Sequence, residues 1–157
     1  MKTNITKEQA LSKAEAYCAK SEHCEAEIRK KLLEWKVDQS DVENVVSHLI
    51  NERYIDDHRF AKAFVRDKFR FEHWGKAKIA QYLRVKQIDP SMIDEALNEI
   101  DEVAYIDTLH RLLVAKSRNM TAYSEYERNG RLIRFALGRG FEMTDILTCL
   151  PQSDTTE

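Results

Sequence analysis

The stretch that determines the fold runs from residue 49 to residue 61 and reads LINERYIDDHRFA. Apolar residues recur at helical spacing on both sides of a short polar joint, which predicts the end of one helix and the start of the next. Asp56 is predicted to accept a hydrogen bond from an unpaired backbone N–H in the first turn of the second helix. Asp57 would lie in that turn, where the helix dipole favours a carboxylate. The tripeptide Tyr54-Ile55-Asp56 is therefore interpreted as a joint between two helices.

The same tripeptide returns 51 positions later as Tyr105-Ile106-Asp107, and it is interpreted as a second joint. Between residues 26 and 56, the positions that recur at this shift are mainly core and capping positions, as repeated packing units require. A weaker third round follows up to Pro151. The sequence therefore predicts an all-α fold of three tandem three-helix repeats in an elongated, curved array. The predicted divisions are a first repeat at residues 5–53, a second at 54–104, a third at 105–151 and a polar tail at 152–157.

Helix boundaries follow from apolar periodicity and from capping residues. The predicted helices cover about residues 7–20, 24–36, 40–51, 57–71, 76–86 and, after Asp107, 109–116. Thr6 with Gln9 has the spacing of a capping box, and Asp89 precedes a proline at a first helical position. The cap of the third helix is either Asp38 or Ser40 with Glu43. Gly75 is expected to relax the turn before the fifth helix, and residues 119–127 are interpreted as a loop.

Composition places the chain among intracellular helical proteins. Of its 157 residues, 43% are hydrophobic and 33% are charged, with only four Gly and two Pro to interrupt helices. No apolar run reaches membrane-spanning length, and no signal-peptide core follows residues 1–4. The three cysteines have no paired spacing, so a disulfide framework is not expected. Cys18 and Cys149 are expected in the core, whereas Cys24, near a helix start, is expected to be a mildly acidic thiol.

The sequence contains no pattern that indicates catalysis or metal binding. Phosphate-cradling glycine loops, serine-nucleophile elbows and zinc-protease helices are all absent from it. Asp56, Asp57 and His58 are adjacent on a helix and point in different directions, so capping explains them better than a shared ion. His23 and Cys24 with Cys18 lack a fourth ligand for zinc. We therefore predict no enzymatic activity, no cofactor and no metal.

Basic residues are concentrated in two groups, although the formal net charge is −2. The first group comprises Arg66, Lys68, Arg70, Lys76, Lys78, Arg84 and Lys86, and the second comprises Arg128, Arg131, Arg134 and Arg139. Each group can be read as an ordinary solvated helix face. Alternatively, the two groups combine along one concave side of the array and bind acidic protein, phosphates or both. Four aromatic residues lie among the first group: Phe69, Phe71, Trp74 and Tyr82. Aromatic rings among cations can stack on unpaired bases, but at helical spacing we expect these rings in the core, with Trp74 the most exposed.

The joint at residues 54–61 resembles a stretch of the RecX regulatory family, whose members modulate the RecA recombinase. The matching residues are Tyr54, Ile55, Asp56, Asp57, Arg59, Phe60 and Ala61. Residues 27–33, Trp74-Gly75-Lys76 and Arg139-Gly140-Phe141 also resemble family motifs, and the resemblance extends from about residue 8 to residue 150. Two departures concern folding. Cys24 stands where the family usually has a serine cap, and Lys36 and Gln87 replace a common glycine.

The resemblance implies a bacterial cytoplasmic protein that binds RecA filaments on single-stranded DNA. Such proteins usually inhibit strand exchange and ATP hydrolysis by RecA, either by lying in the filament groove or by promoting disassembly. We expect a monomer with weak direct contact to single-stranded DNA and no membrane association. Two alternatives stay open, namely a stand-alone nucleic-acid-binding protein and a helical-repeat scaffold for an unrelated protein.

Overall fold

The computed structural model describes residues 5–121 and 123–151, and within these ranges it contains nine helices and no strand. The all-α prediction is therefore confirmed. The helices are α1 (Lys7–Lys20), α2 (Glu25–Glu34), α3 (Gln39–Asn51), α4 (Asp57–Arg70), α5 (Lys76–Val85), α6 (Pro90–Asn98), α7 (Glu102–Ser117), α8 (Glu125–Gly138) and α9 (Met143–Cys149). The tail expected at residues 152–157 lies outside the described residues. The division into three repeats and the curvature of an array remain predictions.

The described residues form two compact units, and the boundaries between them fall within α4, α5 and α6. The first unit comprises residues 5–63 and 83–93. Its core is made of apolar side chains from α1, α2 and α3 with the joint residue Ile55. The second unit comprises residues 64–82 and 94–151, and its core is made mainly of side chains from α7, α8 and α9. Each unit therefore contains one complete helical triplet with its own hydrophobic core.

Capping interactions at three helix starts agree with the sequence. Thr6 and Gln9 form the expected capping box of α1. The carboxylate of Asp89 accepts a hydrogen bond of 2.9 Å from the backbone N–H of Ser91, and α6 begins at Pro90 as expected. Asp38, rather than Ser40, caps α3, since its carboxylate accepts the backbone N–H of Ser40. The alternative capping box therefore does not form.

The joint between α3 and α4 at Asp56 is confirmed. The neighbouring Asp57 also binds the start of another helix, which the sequence did not indicate. The carboxylate of Asp56 accepts a hydrogen bond of 3.1 Å from the backbone N–H of Arg59 in the first turn of α4. Asp57, in the same turn, accepts a hydrogen bond of 2.9 Å from the backbone N–H of Glu25. Glu25 is the first residue of α2, so two consecutive carboxylates bind donors at the starts of two different helices.

The second joint was predicted wrongly, because Tyr105-Ile106-Asp107 lies inside α7. This helix begins at Glu102, since the carboxylate of Asp101 accepts the backbone N–H of Ala104 at 2.9 Å. Asp107 instead pairs with Arg111 one turn later, at 3.0 Å. The earlier cap makes Asp107 unnecessary for starting the helix. The loop expected at residues 119–127 is also too long, because Ser124 caps α8, which begins at Glu125.

Two helices end earlier than expected, shortly before the positions where the resembled family commonly has glycine. The helix α2 ends at Glu34 rather than Lys36, and α5 ends at Val85 rather than Lys86. Lys36 and Gln87 then adopt positive φ angles of 59° and 61°. Glycine adopts this left-handed conformation without strain, which explains the family's preference in terms of backbone geometry.

Cys24 is fully buried, and the expectation of an acidic thiol was wrong. Burial raises its pKa to about 11, because a thiolate would lose its hydration there. Cys149 lies in the second core as expected, and Cys18 packs partly buried against the first. Across residues 5–121 and 123–151, no helix has the length and hydropathy needed to cross a bilayer. Nor does that part of the chain bring together three side chains suited to holding a metal ion.

Candidate basic and aromatic surface

Residues 74–77 and 139–141 are joined by backbone hydrogen bonds within the second unit. The N–H of Gly75 donates to the carbonyl of Arg139 at 2.7 Å, and the N–H of Ala77 donates to the carbonyl of Gly140 at 3.0 Å. A Cβ atom on Gly75 would collide with the backbone of Gly140. Gly75 therefore permits close approach of two backbones. The sequence placed Gly75 in the turn before α5 but did not indicate this contact.

Gly140 is constrained both by its conformation and by its neighbour. Its φ angle is 98°, in the region that favours glycine, and a Cβ atom there would meet the Cβ of Lys78. Lys78 therefore lies against the loop that follows α8. Two sequence motifs that are far apart in the chain, Trp74-Gly75-Lys76 and Arg139-Gly140-Phe141, meet at this point.

Tyr105 contacts both of the segments that meet here, at Lys76 and at Phe141. Its hydroxyl oxygen accepts a hydrogen bond of 3.0 Å from the backbone N–H of Lys76, and its ring packs 5.2 Å from that of Phe141. Burial raises the pKa of Tyr105 to about 12, so the phenol stays protonated at neutral pH. The ammonium group of Lys76 lies 4.7 Å from the Tyr105 ring and 3.4 Å from the carboxylate of Glu102. Lys76 is thus engaged within the fold.

Trp74 brings two other lysines of the first basic group together. The ammonium groups of Lys68 and Lys78 lie 4.8 Å and 4.4 Å from the centre of the indole ring, and the ring of Tyr82 lies 4.7 Å from it. Phe71 is 69% exposed and Tyr82 is 46% exposed. The expectation that both would lie in the core was therefore wrong. Trp74 is only partly exposed, and the expectation that it would be the most exposed of the four aromatics was wrong. Phe69 packs against the second core.

The second basic group lies on α8 and at its end. Arg131 and Arg134 are exposed, and the guanidinium of Arg131 lies 4.3 Å from the centre of the Tyr123 ring. The Arg139 guanidinium lies 5.8 Å from the Phe135 ring. The Nε atoms of Arg128 and Arg139 are buried without a hydrogen-bond partner in the described part of the chain. Tyr126, in the first turn of α8, is 90% exposed, and the sequence did not single it out.

The remaining basic candidates lie in both units. Arg84 and Lys86 belong to the first unit, where the Lys86 ammonium lies 3.2 Å from the carboxylate of Glu27. Arg66 lies 3.5 Å from the neighbouring Asp67, and Arg70 is exposed in the last turn of α4. The concave side on which both groups would combine therefore remains a prediction.

The family-like joint at residues 54–61 has a structural role in the first unit. Ile55, Phe60 and Ala61 are buried. The guanidinium of Arg59 pairs with Glu22 at 2.8 Å and also donates to the carbonyl of Arg53 at 3.2 Å. Tyr54 packs partly buried against the first core. These contacts fix the start of α4 relative to α1 and α3.

Comparison with known proteins gives a consistent family match. The model described as the first three-helix domain of RecX matches residues 10–49, and the model of its second three-helix domain matches residues 56–97. Regulatory protein RecX of Pelodictyon phaeoclathratiforme is 32% identical over 140 residues, which are 86% of each chain. The protein of the same name from Clostridium tetani is 29% identical over 136 residues, 85% of this chain and 62% of the relative.

Solved structures agree with these matches. A crystal structure of regulatory protein RecX has a TM-score of 0.85 at 26% identity and covers 91% of this chain and 70% of its own. RecX from Lactobacillus salivarius has the same TM-score at 19% identity, which is a likeness of fold. The chain therefore spans most of some relatives and just under two thirds of others, such as the one from C. tetani.

Proposed function

Because this chain belongs to the RecX family of regulatory proteins, we propose that it binds RecA filaments on single-stranded DNA and inhibits their recombinase and ATPase activities. The observation that carries the proposal is the match to both three-helix domains of the family, over residues 10–49 and 56–97. A bacterial cytoplasmic location and a monomeric state accompany this proposal. The proposal also includes an arrangement of three repeats with a binding surface along one side.

The distribution of charge supports a strongly anionic partner and narrows the candidate residues. Lys76 and Lys86 have acidic partners within the fold, at 3.4 Å and 3.2 Å. Lys68 and Lys78 have aromatic partners, and Arg134 is exposed on α8. Lys68, Lys78 and Arg134, which have no acidic partner of this sort among the residues that the structure describes, keep their positive charge available to a binding partner. A nucleoprotein filament offers both phosphates and acidic protein surface, and both attract cationic side chains.

The decisive measurement is the rate of ATP hydrolysis by RecA on single-stranded DNA, with increasing amounts of this protein. We expect the rate to fall with a saturable dependence, since a bound regulator removes active filament. A rate that stays unchanged over the whole titration would contradict the proposed inhibition. A rise would identify an activator within the same family.

A binding comparison separates this function from the two alternatives. The regulator should prefer RecA-coated single strands to the same strands without RecA. A stand-alone nucleic-acid-binding protein would show the opposite preference, and a scaffold for an unrelated protein would be indifferent to RecA. Immobilised oligonucleotides with and without bound RecA allow both measurements on one surface.

A further inference from the structure

We propose that Lys68, Lys78 and Tyr82, arranged around Trp74, form a site for a nucleotide of single-stranded DNA. The lysines would bind a backbone phosphate, and the exposed ring of Tyr82 would stack on the adjoining base. The site deepens the function proposed above, because it rests on that function for its biological context and specifies which part of the filament is contacted. It also makes a claim that can be measured without RecA.

The first argument is the convergence of two positive charges on one ring. The ammonium groups of Lys68 and Lys78 lie 4.8 Å and 4.4 Å from the centre of the Trp74 indole. Within residues 5–121 and 123–151, neither group has a carboxylate within ion-pair distance. The indole attracts each cation through its electron-rich face, but it supplies no full negative charge. Both cations therefore lie near the same indole ring, and two positive charges near one position attract an anion more strongly than either one alone.

The second argument is the position of exposed aromatic surface beside these cations. The ring of Tyr82 lies 4.7 Å from that of Trp74 and is tilted to it by 47°. It remains 46% exposed on α5, whereas Ile79, Ala80 and Leu83 of the same helix are buried. Aromatic rings next to a cationic groove are the usual platform for unpaired bases. The lysines occupy the surroundings of Trp74, which leaves Tyr82 as the platform.

The third argument is that the site is rigidly held. Trp74 precedes Gly75, whose N–H donates to the carbonyl of Arg139 at 2.7 Å. The backbone of Lys78 is packed against Gly140, where no Cβ can be accommodated. The backbone beside Trp74 and at Lys78 is therefore fixed before a ligand arrives, which lowers the entropic cost of binding. A duplex would not use this arrangement, since its bases are stacked and paired.

Fluorescence of Trp74 provides the test. The chain has two tryptophans, so the full-length variant Trp35→Phe leaves Trp74 as the single reporter. The probes are an oligothymidylate, an abasic strand of equal length, a duplex and inorganic polyphosphate. We expect saturable quenching with the oligothymidylate and weaker binding of the other three probes. Equal affinity for the oligothymidylate and the abasic strand would overturn the stacking role, and equal affinity for polyphosphate would reduce the site to a non-specific anion site.

Substitutions in the Trp35→Phe background separate the two contacts. Tyr82→Leu keeps apolar bulk but removes the stacking ring, and we expect it to weaken binding of the oligothymidylate roughly tenfold. Replacement of Lys68 and Lys78 by Gln should reduce the dependence of log affinity on log salt concentration by about 0.7 for each lost phosphate contact. Tyr126→Leu is the matched control, since Tyr126 is 90% exposed in the same unit but lies on α8. Equal losses for Tyr82→Leu and Tyr126→Leu would overturn the proposal.

The outcome is independent of whether the protein regulates RecA. Circular dichroism of each variant verifies that the helices are intact, and the lysine variant keeps the proposal testable if Tyr82→Leu folds poorly. If wild-type protein inhibits RecA but does not distinguish the four probes, the nucleotide site is wrong and the regulatory function stands. If the probes are distinguished and RecA is unaffected, the regulatory function is wrong and the site stands.

Discussion

Four non-glycine residues among residues 5–121 and 123–151 have positive φ angles after helix ends, and glycine would relieve the backbone strain at two of them in particular, Lys36 and Gln87. Lys36 follows α2 with a φ angle of 59°, and Gln87 follows α5 with a φ angle of 61°. The left-handed conformation costs about 1–2 kcal/mol for a residue with a Cβ, against a penalty of roughly 0.4–1 kcal/mol for the freedom of glycine in the unfolded chain. We therefore expect Lys36→Gly and Gln87→Gly each to raise the free energy of unfolding by up to about 1 kcal/mol in urea titrations. Alanine at either position keeps the Cβ, and an equal gain there would contradict this explanation.

Cys24 connects burial to the pH dependence of stability. Burial raises the pKa of its thiol to about 11, whereas the thiol of an unfolded cysteine has a pKa of about 8.5. The folded state therefore holds the proton more tightly, and this contribution is complete below about pH 8.5 and is lost as the pH rises towards 11. We expect the free energy of unfolding to fall between about pH 9 and pH 11, and to fall less steeply in Cys24→Ala. Urea titrations at several pH values separate this slope from the constant cost of the cavity, and identical slopes would disprove the assignment.

At the scale of elements, the contact between the start of α5 and the end of α8 depends on two glycines. Alanine at position 75 would collide with the backbone of Gly140, and alanine at position 140 would meet both an unfavourable φ angle of 98° and Lys78. We expect Gly75→Ala and Gly140→Ala each to lower the free energy of unfolding by at least about 2 kcal/mol. Gly138→Ala is the matched control, because a Cβ atom at that position would have no neighbour within 4 Å among the described residues. If all three variants melt alike, backbone contact is not what holds these helices together.

The two aspartates that the repeat predicts as equivalent should differ in energetic value. Asp56 caps α4 through the N–H of Arg59 at 3.1 Å, whereas Asp107 lies inside α7 and pairs with Arg111 on the surface. We expect Asp56→Ala to cost about 1 kcal/mol of stability and Asp107→Ala to stay within about 0.5 kcal/mol. Thermal and chemical unfolding of the two variants provide the comparison. A similar loss in both would restore the view that Asp107 starts a helix.

At the scale of the whole molecule, local signals were sufficient to predict most of the helices. The caps formed by Thr6 and Asp89 depend on neighbours within three residues, so their spacing in the sequence was sufficient. The repeat of Tyr54-Ile55-Asp56 at Tyr105-Ile106-Asp107 predicted a helix start at Asp107, which was wrong. The helix α7 begins earlier because Asp101 caps it. The repeat indicated packing positions correctly without fixing the boundary of every helix.

The candidate site was harder to predict because its composition depends on contacts between distant residues. A count of basic residues does not show that Lys86 pairs with Glu27, 59 positions away, while Lys78 remains beside Trp74. Nor does spacing show that Gly75 meets Gly140 across the chain. The sequence therefore predicted a set of basic residues without indicating which of them pair with carboxylates within the fold.

The arginines of α8 allow a final test of charge in partner binding. Arg131 and Arg134 are exposed, and the sequence between positions 128 and 139 contains no acid to neutralise them. We expect the double substitution Arg131→Ala with Arg134→Ala to weaken binding to RecA-coated single strands and to make it less sensitive to salt. Arg139 is left intact because its Nε atom is buried. Arg111→Ala with Arg118→Ala removes the same charge from exposed positions in the same unit, so equal weakening by both pairs would show that net charge, rather than the α8 face, determines binding.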